Sequence, residues 1–232
     1  MLITSIAIVL FLAVLAVFLL YHFGMIAFYH PMKKADDRKI RVACVGDSIT
    51  YGCTVGNWRK NNYPAVLGNL LGESYCVNNF GYTNRTAMKS ADYPYTDEKL
   101  YKQSLDFDPD IVLIMLGSND SKKENWDKES YIHDLGDLVD RYLALKPDVT
   151  VYLLIPPPVF EIGGRVLYRL RKDILDSQIC PAVKKIADEK GVACIDLYSV
   201  FKGRKELFSD GVHPNAQGSR VLAQKIYEVI NG

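Results

Sequence analysis

The sequence predicts an α/β domain in which a five-stranded parallel sheet carries helices on both faces. Three observations predict it. After residue 39, strand-like and helix-like segments alternate five times, the pattern of parallel strands joined by crossover helices. The strand-like runs are short and almost wholly apolar, as strands buried on both faces are. Three of them run straight into small polar loops at Ser48, Gly81 and Asn119. Those loops must gather at the carboxyl edge of the sheet, where ligands bind in folds of this class.

Residues 2–28 carry no Asp, Glu, Lys or Arg. As a helix rising about 1.5 Å per residue, such a run exceeds a hydrocarbon core of roughly 30 Å. Tyr21, Phe28 and Tyr29 sit where an interfacial aromatic belt belongs. A cleavable signal peptide would need a basic start, a shorter apolar core and a small-residue cleavage site. The expectation is therefore a single-pass anchor over residues 1–30, with the membrane as a partner and His22 and His30 as interfacial side chains. Lys33, Lys34, Arg38 and Lys39 follow it, which by charge bias puts the remainder in the cytoplasm. Residues 31–39 read as a polar linker and 40–232 as the folded domain.

Residues 40–45 form the first expected strand. Pro64 starts a helix that Gly72 ends, since Pro suits a first helical turn and Gly a helix end. Strand 74–79 follows, then a helix over 96–105 with Thr96 as its N-cap. Residues 110–116 are the most apolar strand. Ile132, Leu135, Leu138, Val139, Tyr142 and Leu143 then recur at helical spacing, leaving His133 on the solvated face. Strand 149–155 stops at three prolines. Residues 166–190 read as helical, kinked or divided at Pro181. Strand 192–197 and a helix over 215–230 complete the pattern.

The chain of 232 residues holds 28 basic and 27 acidic side chains, so neither a nucleic-acid stripe nor an acidic tail is expected. Five cysteines include no C-x-x-C pair, and Cys44 and Cys194 lie in apolar runs. That usage argues against a disulfide framework and against a metal site.

A serine nucleophile needs a base, an orienting carboxylate and oxyanion donors. Ser48 stands where the first strand delivers a small polar residue to a loop. Of the four histidines, His22 and His30 flank the apolar run and His133 is solvated, which leaves His213 as base. Asp210 precedes it by three residues, close enough in a tight turn to reach one ring nitrogen. An ordinary turn before a helix, with an incidental histidine, is the alternative. Asp47 beside the serine reads as a loop-fixing residue.

Gly46-Asp47-Ser48-Ile49-Thr50, Asn79-Phe80-Gly81, Gly117-Ser118-Asn119-Asp120 and Asp210-Gly211-Val212-His213-Pro214 occur in that order. Together they resemble the four blocks of the SGNH (GDSL) hydrolase family, over roughly residues 40–230. The resemblance implies a flavodoxin-like three-layer α/β/α fold with Ser48, Asp210 and His213 as catalytic triad. It also implies an oxyanion hole from the backbone N–H groups of Ser48 and Gly81 and the Asn119 amide, with no cofactor. Asn84 stands where the family's second block carries another glycine, and Asn tolerates the left-handed backbone such a position needs. Thr50, two after the serine, breaks the G-x-S-x-G elbow of ordinary α/β-hydrolases.

The loop context looks most similar to carbohydrate O-acetylesterases. That implies a serine esterase removing short acyl groups, chiefly acetyl, from a glycan or small-molecule ester. A lysophospholipase or acyl thioesterase is the alternative, and an inactive anchored binding module a remote one. Tyr95, Trp126 and Phe160, on aromatic and proline-rich loops, are candidate substrate contacts. Polysaccharide esterases act outside the cell, which pulls against the cytoplasmic charge bias.

Overall fold

The computed structural model describes residues 2–22 and 29–232. Its strands are β1 (Ile40–Gly46), β2 (Tyr75–Gly81), β3 (Ile111–Met115), β4 (Thr150–Ile155) and β5 (Ala193–Asp196). They form one parallel sheet in the order β2-β1-β3-β4-β5. The helices are α1 (Leu2–His22), α2 (Ser48–Tyr51), α3 (Trp58–Asn61), α4 (Tyr63–Leu71), α5 (Lys99–Asp106) and α6 (Lys128–Leu143). They continue with α7 (Lys172–Ile174), α8 (Cys180–Lys190), α9 (Leu197–Phe201) and α10 (Ala216–Ile230).

Alternation along the strands sorts the core into two layers. Ala43 and Val45 of β1, with Val112 and Ile114 of β3, pack against Leu100, Leu135, Val139, Val183 and Ile186. Val42, Cys44, Leu113 and Met115 face the other way, against Leu67, Leu222 and Ile226. Burying each such Leu or Ile contributes about 1.5–3 kcal/mol. This two-sided burial is why the strands read as continuous apolar runs. In register, Gly46 lies beside Gly81 of β2 and Met115 of β3, so three strand ends stop at one edge.

Two local expectations are corrected. The helix expected from Thr96 starts at Lys99, after a 3₁₀ turn over Tyr95–Asp97. Its cap is Glu98, whose carboxylate accepts the Lys99 N–H at 2.9 Å and is fixed by the Arg85 guanidinium. The segment 166–190 is helical only from Lys172, because Tyr168 and Arg169 take left-handed backbone. Pro181 marks a division, as expected: it falls in the first turn of α8, where a missing N–H costs least, just after a π-helical turn over Leu175–Ile179.

No helix among the described residues is long and apolar enough to cross a membrane. The single-pass anchor expected over residues 1–30, and the membrane partner with it, is corrected accordingly. The helix within the charge-free run is described as far as His22, and around Tyr21 and His22 it is engaged with the domain. The Asn57 N–H donates to His22 Nε2 at 3.2 Å, the Tyr21 and Trp58 rings meet edge to face, and the Arg59 guanidinium lies over Tyr21. Phe28, expected in an aromatic belt, lies outside the described residues.

His30 is a core group rather than an interfacial one. It is 8% exposed, its Nε2 is 2.8 Å from the Tyr51 carbonyl, and its ring packs against Trp58 and Tyr51. Nearby, the Lys33 N–H donates to Asn78 Oδ1 and the Asn78 amide donates back to Lys33 O, both at 2.9 Å. Burial pushes the His30 pKa down to about 4. Unfolded, an ordinary imidazole binds its proton near pH 6.5. The stability from keeping His30 neutral is therefore complete above pH 6.5 and is lost as pH falls toward 4. Relative to His30→Gln, the wild-type protein should lose up to about 3 kcal/mol across that window. Urea midpoints at pH 7 and pH 4 check this, because other titrations cancel in the difference.

Candidate active site

The site begins where β1 ends. A Cβ on Gly46 would lie 2.6 Å from Met115 O and collide with the Thr50 hydroxyl, so only glycine lets the strand turn here. Asp47 then caps α2: its Oδ1 accepts the Ile49 N–H at 2.9 Å. The side chain is 1% exposed, and burial pushes its carboxyl up to about 6. It fixes the loop, as read from the sequence, and presents Ser48 at the sheet edge.

His213 arrives from the turn between β5 and α10. Its Nε2 lies 2.9 Å from Ser48 Oγ, and its Nδ1 lies 2.7 Å from Asp210 Oδ2. Asp210 Oδ1 accepts the N–H groups of Val212 and His213 at 2.9 and 2.8 Å. Burial alone would raise the Asp210 carboxyl, but the hydrogen bond and charge of His213 outweigh it and hold that carboxyl well below the usual range. An ionised Asp210 requires the proton on Nδ1. Nε2 is then left to accept from the serine hydroxyl.

The loop after β2 sits across from them. Asp120 is fully buried and accepts the Ala87 and Met88 N–H groups at 3.1 and 2.9 Å, which ties this loop to the one after β3. Burial pushes the Asp120 carboxyl up to about 7. The Asn119 amide donates to Arg85 O at 3.1 Å and has a longer 3.4 Å contact to Asp47 Oδ2. The second contact is weak, so one amide hydrogen is only loosely committed.

Ser48, Asn119 and His213 open together onto a cavity of about 190 Å³, whose wall also includes Asn84, Tyr168 and Leu170. Gly81, expected as an oxyanion donor, is corrected. Its N–H donates to Asn79 Oδ1 at 2.9 Å, and a Cβ there would meet Tyr51 N at 2.5 Å. It is a glycine because β2 closes against α2, not because it faces a ligand. Asn84 reaches the cavity instead, with the left-handed backbone (φ 63°) its position called for. Among the described residues its N–H has no protein acceptor.

The three aromatic residues expected at the substrate do not line the cavity. Tyr95 is fully buried and donates its hydroxyl to Phe80 O at 2.8 Å. Trp126 donates Nε1–H to Gln178 Oε1 at 3.0 Å and packs on Tyr131. Phe160 packs on Phe208, ring centroids 5.0 Å apart. Tyr95 is spent in the core, while Trp126 and Phe160, half-buried, pack on neighbouring loops away from the cavity wall. Sequence reasoning missed Tyr168, which carries no motif and lay in a stretch read as helix. For Asn84 the signal was its place in the second block. Among the described residues, His133, Asp134 and Asp137 could share a metal ion. His133 is exposed on α6, as expected, and Lys89 already pairs with Asp137 at 2.7 Å.

A model of the GDSL-like lipase/acylhydrolase family matches residues 44–221. The chain belongs to that family. This GDSL-like chain is 34% identical over 221 residues to an acetylxylan esterase of Xylanibacter ruminicola, covering 86% of its own length but 44% of that relative. It is 27% identical to a GDSL lipase of Mycobacterium tuberculosis, covering 88% and 86% of the two chains. Two solved structures share its fold. The Est24 carbohydrate acetylesterase of Sinorhizobium meliloti superposes with a TM-score of 0.67 at 21% identity, over 83% of this chain and 99% of that one. An aryl esterase of M. smegmatis gives 0.65 at 21% identity, over 82% and 98%.

Proposed function

We propose that this GDSL-like chain is a serine esterase that removes short acyl groups, chiefly acetyl, from a carbohydrate through an acyl-enzyme. The observation that carries the reading is the unbroken relay from Ser48 Oγ to His213 to Asp210 at the wall of a small cavity. His213 Nε2 takes the Ser48 proton as Oγ attacks the ester carbonyl. Asp210 holds the imidazolium that forms. The developing oxyanion is met by the backbone N–H groups of Ser48 and Asn84 and by the Asn119 amide. Each such donor contributes on the order of 3 kcal/mol to the transition state. His213 returns the proton to the leaving alcohol, and water resolves the acyl-enzyme by the same path.

Two observations support a short acyl group on a sugar. A cavity of about 190 Å³ suits acetyl better than a fatty chain. The acetylxylan esterase relative is similar over 86% of this chain. A p-nitrophenyl ester series from acetate to octanoate tests the reading. Turnover should be highest with acetate and fall by about tenfold or more toward octanoate. A profile that is flat or rises with chain length would overturn it in favour of a lipid esterase. Acetate release from acetylated xylan, set against fatty-acid release from a lysophospholipid, then tests the alcohol side.

A further inference from the structure

Asp210 carries one donor more than the relay requires. Beyond the two backbone N–H groups on Oδ1 and His213 on Oδ2, the Tyr168 hydroxyl donates to Oδ2 at 2.7 Å. The Tyr168 ring also stands edge to face against the His213 imidazole, centroids 5.2 Å apart at 70°. A single side chain therefore touches both residues that serve Ser48. It is not held there by the core, since Tyr168 is 46% exposed.

The backbone is bent to deliver it. Tyr168 and Arg169 lie at φ 59° and 62°. Two successive non-glycine residues in that region persist only when their surroundings dictate it, and such strain gathers at functional sites. The surroundings are specific here. The Phe160 N–H donates to Gly211 O at 2.7 Å, on the turn that bears Asp210. The Arg171 N–H donates to Ser121 Oγ at 3.1 Å, and Arg169 pairs with Glu124 at 2.8 Å, both beyond Asn119. The segment thus spans from the acid–base turn to the loop of the Asn119 amide, with Tyr168 aimed inward between them.

We propose that Tyr168 is a positioning residue for the Asp210–His213 pair and acts through its hydroxyl. The proposal rests on the esterase reading above. Oδ2 has to face Nδ1 throughout the cycle, and most of all while His213 is charged. The hydroxyl fills the acceptor site on Oδ2 that water would otherwise occupy. With four donors in place the carboxylate cannot rotate away. The ring shields the Nδ1–H···Oδ2 bond from solvent.

The test is Tyr168→Phe in the full chain, which keeps the ring and the cavity wall and removes only the donor. With p-nitrophenyl acetate, kcat should fall about tenfold while KM stays within about twofold. The melting temperature should not move. In the Ser48→Ala background, without substrate, the His213 Nδ1–H proton should exchange with water faster once Tyr168→Phe is added. Unchanged kcat together with unchanged exchange would overturn the proposal. So would a loss of kcat that tracks a lowered melting temperature, which marks a merely structural residue. Turnover surviving in Ser48→Ala alone would overturn the esterase reading, while the exchange measurement would still decide the role of Tyr168.

Discussion

Ser48→Ala should abolish ester hydrolysis, with kcat falling on the order of 10⁴-fold or more and KM little changed. The reason is local. Ser48 Oγ is the atom that His213 Nε2 reaches, at 2.9 Å. The thiol on the cavity wall is Cys53, and burial together with the charges of Asp47 and Asp210 pushes it up to about 12. It stays protonated at neutral pH and cannot stand in for the serine. Turnover of p-nitrophenyl acetate by the variant, read beside its melting curve, checks the prediction. An intact fold with retained turnover would refute the mechanism.

Asp210→Asn should cost nearly as much, about 10⁴-fold in kcat. The substitution keeps the volume but exchanges an acceptor-only group for one that also donates. An amide N–H facing Nδ1 would favour the wrong tautomer, with its proton on Nε2, and a protonated Nε2 cannot accept from Ser48. Asp210 also accepts two backbone N–H groups of its own turn, so the variant should soften the loop. The carboxyl is held below its usual range in the fold. Its share of stability is therefore present above about pH 4 and is lost as pH falls through that lowered value. Activity across pH 5–9, with urea midpoints at pH 7 and below pH 4, separates the two effects: the kinetic loss persists at every pH where the enzyme works, whereas any stability deficit against wild type narrows only below about pH 4.

Much of this was legible in the sequence, for identifiable reasons. Strands buried on both faces must be apolar at every position, so β1 and β3 announced themselves. Glycine before Ser48, and Asp-x-x-His in the last turn, are local devices whose spacing is set by backbone geometry alone. The oxyanion donor was harder. A glycine in a loop signals close approach without saying to what, and Gly81 approaches Tyr51 rather than a ligand. Asn84 could be recognised as left-handed but not as facing the cavity. Tyr168 was invisible, because its role depends on a backbone bend fixed by partners such as Glu124 and Ser121, far from it in the chain. The aromatic residues expected at the substrate failed for the converse reason, since a ring on a loop packs unless something stops it. The N-terminal run shows that an uncharged composition states what a segment tolerates, not what it touches: Tyr21 and His22 meet Trp58, Arg59 and Asn57 of the domain.

Ser48 and His213 are 165 residues apart in the chain, and the 2.9 Å contact between them links the turn that follows β1 to the turn that precedes α10. A parallel sheet cannot build such a contact from neighbours. Non-local contacts reward the chain only after its loops have closed, and folds of high contact order pay that entropy early and fold slowly. The relay therefore comes into being only when the whole topology is complete. On this view the regain of turnover during refolding is a clock for the final closure. Its appearance should lag behind the recovery of helical signal rather than rise with it.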